Sequence, residues 1–310
     1  MEIAKACDHL VTEYQHYDFN MTSKKKQPKR PKLLSRTRPP TVRAKNASLS
    51  SKATRNLIRS HHRLLKSRTQ ALQAGDQATV DKVDGQIRDN GGLESYQLAS
   101  KLGQSSTRGG DSSKVLVDWI NPQLSLMKDT PFRLRALEIG ALSTKNACSM
   151  TPSLDVTRID LNSQEPGIIK QDFMERPLPL TDDDRFHLIS LSLVLNYVPN
   201  AEGRGEMLKR CVTFLTNTLP SDCPVSFAPS LFLVLPLPCV NNSRYLTESR
   251  LQEILSSMGF ILAQSKQTSK LIFQLWQHRQ EYSPRSFKKE TLNPGKTRNN
   301  FAIVVRDDKK

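Results

Sequence analysis

No aspartate or glutamate occurs between Asp18 and Asp76. Residues 1–75 carry 17 Lys and Arg against 4 acids, a net +13, which leaves about +3 of the total +16 for residues 76–310. The basic excess is therefore an amino-terminal property. A tract this charged selects polyanions, because each phosphate it neutralises releases counterions, and nucleic acid is the expected partner. The run KKKQPKRPK at 24–32 also has the density of a nuclear-import signal. Other absences exclude whole classes. The five cysteines, Cys7, Cys148, Cys211, Cys223 and Cys239, form no CxxC pair and have no histidine at ligand spacing, which predicts free thiols and no metal. No apolar run reaches the roughly eighteen residues of a membrane span, and the amino terminus lacks an apolar signal core, so a soluble intracellular chain is expected. After Gly140 the second and third glycines of a dinucleotide fingerprint are missing, and no Gly-rich loop ends in Lys-Ser or Lys-Thr. Nothing cradles a pyrophosphate, and a phosphate-loop nucleotidase is excluded.

What remains is a pairing. Gly140 ends the apolar run RALEIG at 135–140, and twenty residues later Asp160 ends VTRID at 156–160. A glycine at the end of a first buried strand lets the backbone approach a ligand, and an acid ending the second strand can accept both hydroxyls of a ribose. S-adenosylmethionine, which carries no phosphate, fits that pair. Two acidic-tipped strands facing solvent would look the same locally. A third contact is Asp172, which can accept from an adenine amino group, with Phe173 packing on the ring; a polar loop with a half-buried aromatic is the alternative for that pair.

Residues 1–46 are predicted to be a basic, disordered extension by composition, 47–113 a helical region with a Gly-rich loop, 114–306 the main α/β domain and 307–310 a tail. Helical spacing of Leu57, Ile58, Leu64, Leu65, Leu72 and Val80 gives one or two helices broken near Gly75-Asp76, the first half strongly basic. A short helix follows over 96–102. The loop from Gly103 to Ser113 reads either as a flexible connector or as a lid or cofactor contact through Arg108 and Asp111. After an amphipathic helix over 114–127, strands near 135–139, 156–160, 168–172, 186–196 and 230–236 alternate with helices over 202–217 and 247–258, as in a parallel sheet with right-handed crossovers. A last antiparallel pair is expected from 270–277 and 300–305. Only 15 residues separate Gly140 from Val156, about the minimum for a crossover, so the first helix must be short or irregular. Five parallel strands and a hairpin make the Rossmann-like seven-stranded sheet of class I methyltransferases, here with an α-helical amino-terminal extension.

In such sheets chemistry gathers beyond the carboxyl ends of the strands. Asn196 and Tyr197 leave the fourth strand there, the amide suited to a base edge and the ring to stacking on it; a turn before Pro199 is the plainer alternative. His187, early in the same strand, reads as structural. The segments GGLESYQ at 91–97, GQ at 103–104, RGGDSS at 108–113, LEIG at 137–140, IDLN at 159–162, QDF at 171–173 and LVLNYVP at 193–199 together resemble the fungal 25S rRNA adenine-N1 methyltransferases over roughly residues 50–306. The resemblance implies a nucleolar enzyme that uses S-adenosylmethionine to make 1-methyladenosine in large-subunit rRNA or a pre-ribosomal particle, with the cofactor glycine and acid at Gly140 and Asp160. Animal relatives of the same fold resemble an S-adenosylmethionine sensor in nutrient signalling, a non-catalytic alternative that the basic amino-terminal tract disfavours.

Overall fold

Leu231, Leu233 and Leu235 alternate with Phe232 and Val234 along one strand, and all five are buried. A strand apolar on both faces needs covering on both, which is the signature of a central strand in an α/β sheet. The computed structural model describes residues 50–103, 110–163, 165–219, 221, 223–279 and 285–306. The basic extension, its import-like run, Arg108 and the tail at 307–310 lie outside them. In chain order come α1 (Ser51–Ala74), α2 (Gln77–Asp89), α3 (Gly92–Gly103), α4 (Ser113–Leu126), β1 (Leu134–Ile139), β2 (Leu154–Asp160), β3 (Ile169–Lys170), β4 (Leu188–Ser192), α5 (Ala201–Thr213), β5 (Ser230–Pro236), α6 (Pro238–Asn241), α7 (Glu248–Ser257), β6 (Phe260–Gln267) and β7 (Leu271–His278). The strand order is β3-β2-β1-β4-β5-β7-β6, with β7 antiparallel to both neighbours and the rest parallel. This is the seven-stranded class I methyltransferase sheet, preceded by helices.

Each face of the sheet has its own core. Leu137, Ile139, Leu231 and Leu233 pack with Met207 and Leu208 of α5 and Leu251 and Leu255 of α7. Leu134, Ala136, Phe232 and Val234 face Leu116, Ile120 and Leu124 of α4, with Trp119 edge-on to Phe232 at 6.0 Å. The break between α1 and α2 falls where glycine can adopt φ +70°, at Gly75, and Asp76 caps the next helix through the amide of Thr79. Only turns connect β1 to β2, in place of the short or irregular helix expected within those 15 residues. Thr247 caps α7 by accepting from the amide of Arg250.

Several expectations are corrected. The partner of β7 is β6, not residues 300–305. After Phe260 most of β6 is polar and exposed, so no apolar period marks it. The buried segment 302–305 instead lies against α5, where the Val304 amide donates to the Ala201 carbonyl, and it meets Phe287 only in an isolated bridge. β3 keeps two residues of an expected five, and β4 ends at Ser192 because Leu193 turns to φ +57°. The short helix begins at Gly92, four residues before its expected start.

Gly205 marks the closest approach of α5 to that carboxyl-terminal segment: a Cβ there would stand 1.9 Å from the Val304 carbonyl oxygen. Helix propensity favours Gly205→Ala by about 1 kcal/mol, but a backbone clash of this kind costs about 1–3 kcal/mol. The clash wins, and urea denaturation of Gly205→Ala is expected to show a net loss of stability; a gain would mean that the segment yields without cost.

Candidate functional site

Register brings the strand ends together. Ile139 lies opposite both Ile159 and Leu191, and Asp160 lies opposite Lys170. Gly140, Asp160, the segment 171–173 and the exit of β4 therefore leave the sheet along one edge. At Gly140 the chain takes φ +76°, where L side chains are disfavoured. A Cβ would also meet Val194 Cγ2 at 2.5 Å. The amides of Gly140 and Ala141 both donate to the Ile159 carbonyl, at 2.9 and 3.1 Å, which ties the turn to β2. Leu193 holds positive φ without being glycine, a local strain of the order of 1–3 kcal/mol stored at the site.

Asp160 is half-buried, and its Oδ1 accepts the amide of Asn162 at 2.8 Å. Burial raises its pKa against that hydrogen bond. No hydrogen bond is found at Oδ2 among the described residues, so the carboxylate retains acceptor capacity. Asp172 is exposed, with Oδ1 accepting the Met174 amide. Phe173 is a correction: its ring is buried in the core, 5.5 Å from Phe214, and cannot serve as an exposed platform for an adenine. Its carbonyl accepts from Arg210 Nε at 2.7 Å. Asp111, expected as a lid or cofactor contact, is occupied internally: Oδ1 takes the amide and hydroxyl of Ser113 and Oδ2 takes the Ala147 amide.

On the acceptor side, the Asn196 side-chain oxygen is buried without a hydrogen-bond partner among the described residues. A buried acceptor left unpaired costs about 1–3 kcal/mol, a cost that a ligand's donor removes, and the same amide lies within hydrogen-bonding reach of the Tyr197 hydroxyl. Tyr197 keeps 37% of its surface exposed, and its hydroxyl pKa is raised by burial. One ring face is covered, because His62 of α1 stacks on it at 3.8 Å and 14°. Tyr96 of α3 stands edge-on to both rings, 5.1 Å from His62 and 6.5 Å from Tyr197, and stacks on His61 at 4.5 Å. Gln97 anchors α3 by donating to the Asn162 carbonyl, in the turn just past Asp160, at 2.7 Å. The amino-terminal helices thus roof the strand ends. Burial, and secondarily the neighbouring His61, lowers the His62 pKa to about 4, so the imidazole in the roof is neutral at physiological pH.

Sequence reasoning missed His62, Tyr96, Arg204 and Glu138. Arg204, a buried cation, donates to the carbonyls of Val198 at 3.0 Å and Ala302 at 2.7 Å and lies 4.3 Å from the Phe301 ring centroid. It holds the segment that follows Tyr197; an arginine on the inner face of an amphipathic helix was its only signal. Glu138, two residues before Gly140, accepts from Asn146 Nδ2 at 2.6 Å and from Cys148 Sγ at 3.6 Å. Burial is the main cause that raises its pKa to about 7. His187 is structural as expected: Nδ1 accepts the Arg135 amide and Nε2 bonds to the Thr218 carbonyl, both at 3.0 Å. Among the described residues no group of His, Cys, Asp or Glu is arranged to hold a metal, and no helix is long and apolar enough to cross a membrane.

Residues 81–303 match the family described as 25S rRNA (adenine(2142)-N(1))-methyltransferase, Bmt2. The 25S rRNA (adenine(2142)-N(1))-methyltransferase of Saccharomyces cerevisiae is 41% identical over 268 residues, spanning 84% of this chain and 75% of that protein. The 25S rRNA adenine-N(1) methyltransferase of Schizosaccharomyces pombe is 39% identical over 255 residues, 80% of this chain and 89% of the relative.

Two tests follow from the geometry around β1. Gly140→Ala is expected to lose about 1–3 kcal/mol through strained φ and the Val194 contact. Adding Val194→Ala should recover the contact part and leave the backbone part; strictly additive losses in that double-mutant cycle would rule the contact out. The second concerns pH. A carboxyl with pKa raised from 4.5 to about 7 stabilises the fold fully only below pH 4.5, and the contribution is lost as pH rises through 7, in all about 3 kcal/mol. The stability advantage of Glu138→Gln over the parent is therefore expected to grow from pH 4.5 to 7 and then level off. A pH-independent difference would show that Glu138 stays ionised in the folded state.

Proposed function

The chain belongs to the 25S rRNA (adenine(2142)-N(1))-methyltransferase family, Bmt2, and on that footing we propose that it transfers a methyl group from S-adenosylmethionine to N1 of an adenine in large-subunit rRNA. The observation that carries the proposal beyond membership is the unpaired, buried Asn196 oxygen beside the Tyr197 ring at the edge where Gly140 and Asp160 also emerge. The sensor alternative needs no such acceptor group, and both relatives named above are transferases.

The cofactor site is assigned to Gly140, whose missing Cβ opens the backbone, to Asp160, whose free carboxylate oxygen suits ribose hydroxyls, and to Asp172, whose exposed carboxylate suits an amino group. Phe173 contributes through its backbone and the core, not its ring. Arg108 is assigned as a lid or cofactor contact on sequence grounds alone. Bound there, the cofactor supplies an activated methyl group, and the protein has to align the acceptor with it. An adenine stacked on the covered face of Tyr197 displaces His62. The Asn196 oxygen then accepts from the exocyclic amino group, whose protons become more acidic as N1 gains a bond and positive charge. Arg204 keeps Asn196 and Tyr197 in place by holding the carbonyl of Val198. No general base is needed for the attack, because the N1 lone pair of a neutral adenine is available once the base is unpaired. We place this activity in the nucleolus, on rRNA or a pre-ribosomal particle, a location supported by the basic run at 24–32.

The test is incubation with radiolabelled S-adenosylmethionine and deproteinised large-subunit rRNA from a strain lacking the enzyme, followed by nucleoside separation. Label is expected in 1-methyladenosine; cofactor binding without label in rRNA or ribosomal precursors would favour the sensor. Asp160→Ala should weaken cofactor binding by about 1–3 kcal/mol, whereas Asn196→Ala should lower kcat with cofactor affinity unchanged. Equal activity in both variants would move the site elsewhere.

A further inference from the structure

The helix that carries His62 is basic along its outer side. Lys52, Arg55, Arg59, Arg63 and Lys66 are all exposed and follow one another at three- and four-residue intervals, a line of about 21 Å along the axis. α1 contains no acid. Its other cation, Arg68, is paired with Asp84 of α2 at 2.6 Å, whereas Arg59, Arg63 and Lys66 have no ion pair among the described residues. Like charges three and four positions apart repel, costing about 0.2–0.5 kcal/mol for each of the pairs Arg59–Arg63 and Arg63–Lys66. An ordinary solvated helix face intersperses both signs; this one keeps a repulsion that an anionic partner would relieve.

Position specifies the partner. Arg59 and Lys66 stand at i−3 and i+4 from His62, its nearest neighbours on the helix surface, and the His62 ring lies on Tyr197. On the helix surface Arg59 and Lys66 are thus the cations nearest the ring that covers Tyr197, and Arg63 stands between them in the line. We propose that the outer face of α1 is the enzyme's RNA-binding surface, a phosphate-binding line that holds the strand on either side of the adenine at Tyr197. This rests on the methyltransferase function proposed above and adds the element that grips the substrate. It moves specific RNA contact from the extension at residues 1–46 to a folded helix.

The experiment measures binding of full-length protein to a single-stranded rRNA fragment containing the methylated adenine, as a function of salt. The variant is Arg59→Gln/Arg63→Gln/Lys66→Gln. The control, Lys266→Gln/Lys270→Gln/Lys288→Gln, removes the same charge from exposed positions remote in sequence from the helices. For three lost phosphate contacts on a single strand, the slope of log affinity against log salt should flatten by about 2, with at least tenfold weaker binding at moderate salt. Cofactor affinity should stay unchanged, and the control should keep the parental slope. A parental slope in the helix variant, or equal flattening in the control, overturns the proposal. Label in 1-methyladenosine from the parent protein tests the underlying function separately, so a methylating parent with an unaltered helix-variant slope condemns only the surface. If the triple variant loses cofactor binding, Arg63→Gln alone, expected to flatten the slope by about 0.7, decides the matter.

Discussion

Everything at the candidate site depends on β1 being paired in parallel register on both sides. Because Ile139 faces Ile159 and Leu191 at once, three strands end at the same level, and the chain turns away from the sheet at three adjacent points. Parallel pairing leaves each turn free to carry a functional side chain, since the return crossover lies behind the sheet. The price is crowding between adjacent exits. Val194 occupies the space a Gly140 side chain would need, and Leu193 is forced into a conformation foreign to a branched residue. The glycine and the strain are two results of one packing problem: β1 and β4 finish side by side and both must bend.

The parts of the fold legible from sequence are those fixed by local chemistry. The Gly75-Asp76 break, the Thr247 cap, β1, β2 and β5 follow from backbone preferences and apolar runs, whereas the short first crossover helix that chain length allows is replaced by turns. β6 escapes the sequence because only its first residues face a core, and the strand expected over 300–305 is an extended chain pressed on a helix, for which the same apolar run is equally suited. At the site, Gly140 and Asp160 were readable as a pair because both sit where apolar strands stop. Phe173 was misplaced because an aromatic residue after a strand end can turn inward or outward with equal local sense, and Arg210 and Phe214 draw it inward. The contact between His62 and Tyr197 joins residues 135 positions apart. No periodicity in either segment encodes it; it exists only once α1 has folded over the sheet.

The amino-terminal helices change the meaning of the sheet they cover. A bare class I sheet presents its strand ends to solvent, but here Gln97 clips α3 to the turn after Asp160, two further rings, His62 and Tyr96, close around Tyr197, and His61 stacks behind Tyr96. The cofactor side and the acceptor side consequently share a roof. Tyr96 feels the Asp160 carboxylate as well as the Tyr197 hydroxyl, and its own pKa is raised by burial first and by these two neighbours after it.

Acid acts on floor and roof through buried histidines. Arg204, which fixes the chain beyond Tyr197, has its pKa lowered by burial only to about 10, so its charge is constant across every pH a cell reaches. His61 and His62 in the roof are both held neutral by burial. Stability from a histidine with depressed pKa is whole above its unfolded value of 6.5 and drains away as pH falls toward the folded one, here about 4 for His62. His187 before β4 and His278 in β7 are held neutral by burial in the same way, so acid presses a proton on the cover and on the sheet beneath it alike, and the rings that close over Tyr197 share their sensitivity with the platform they cover.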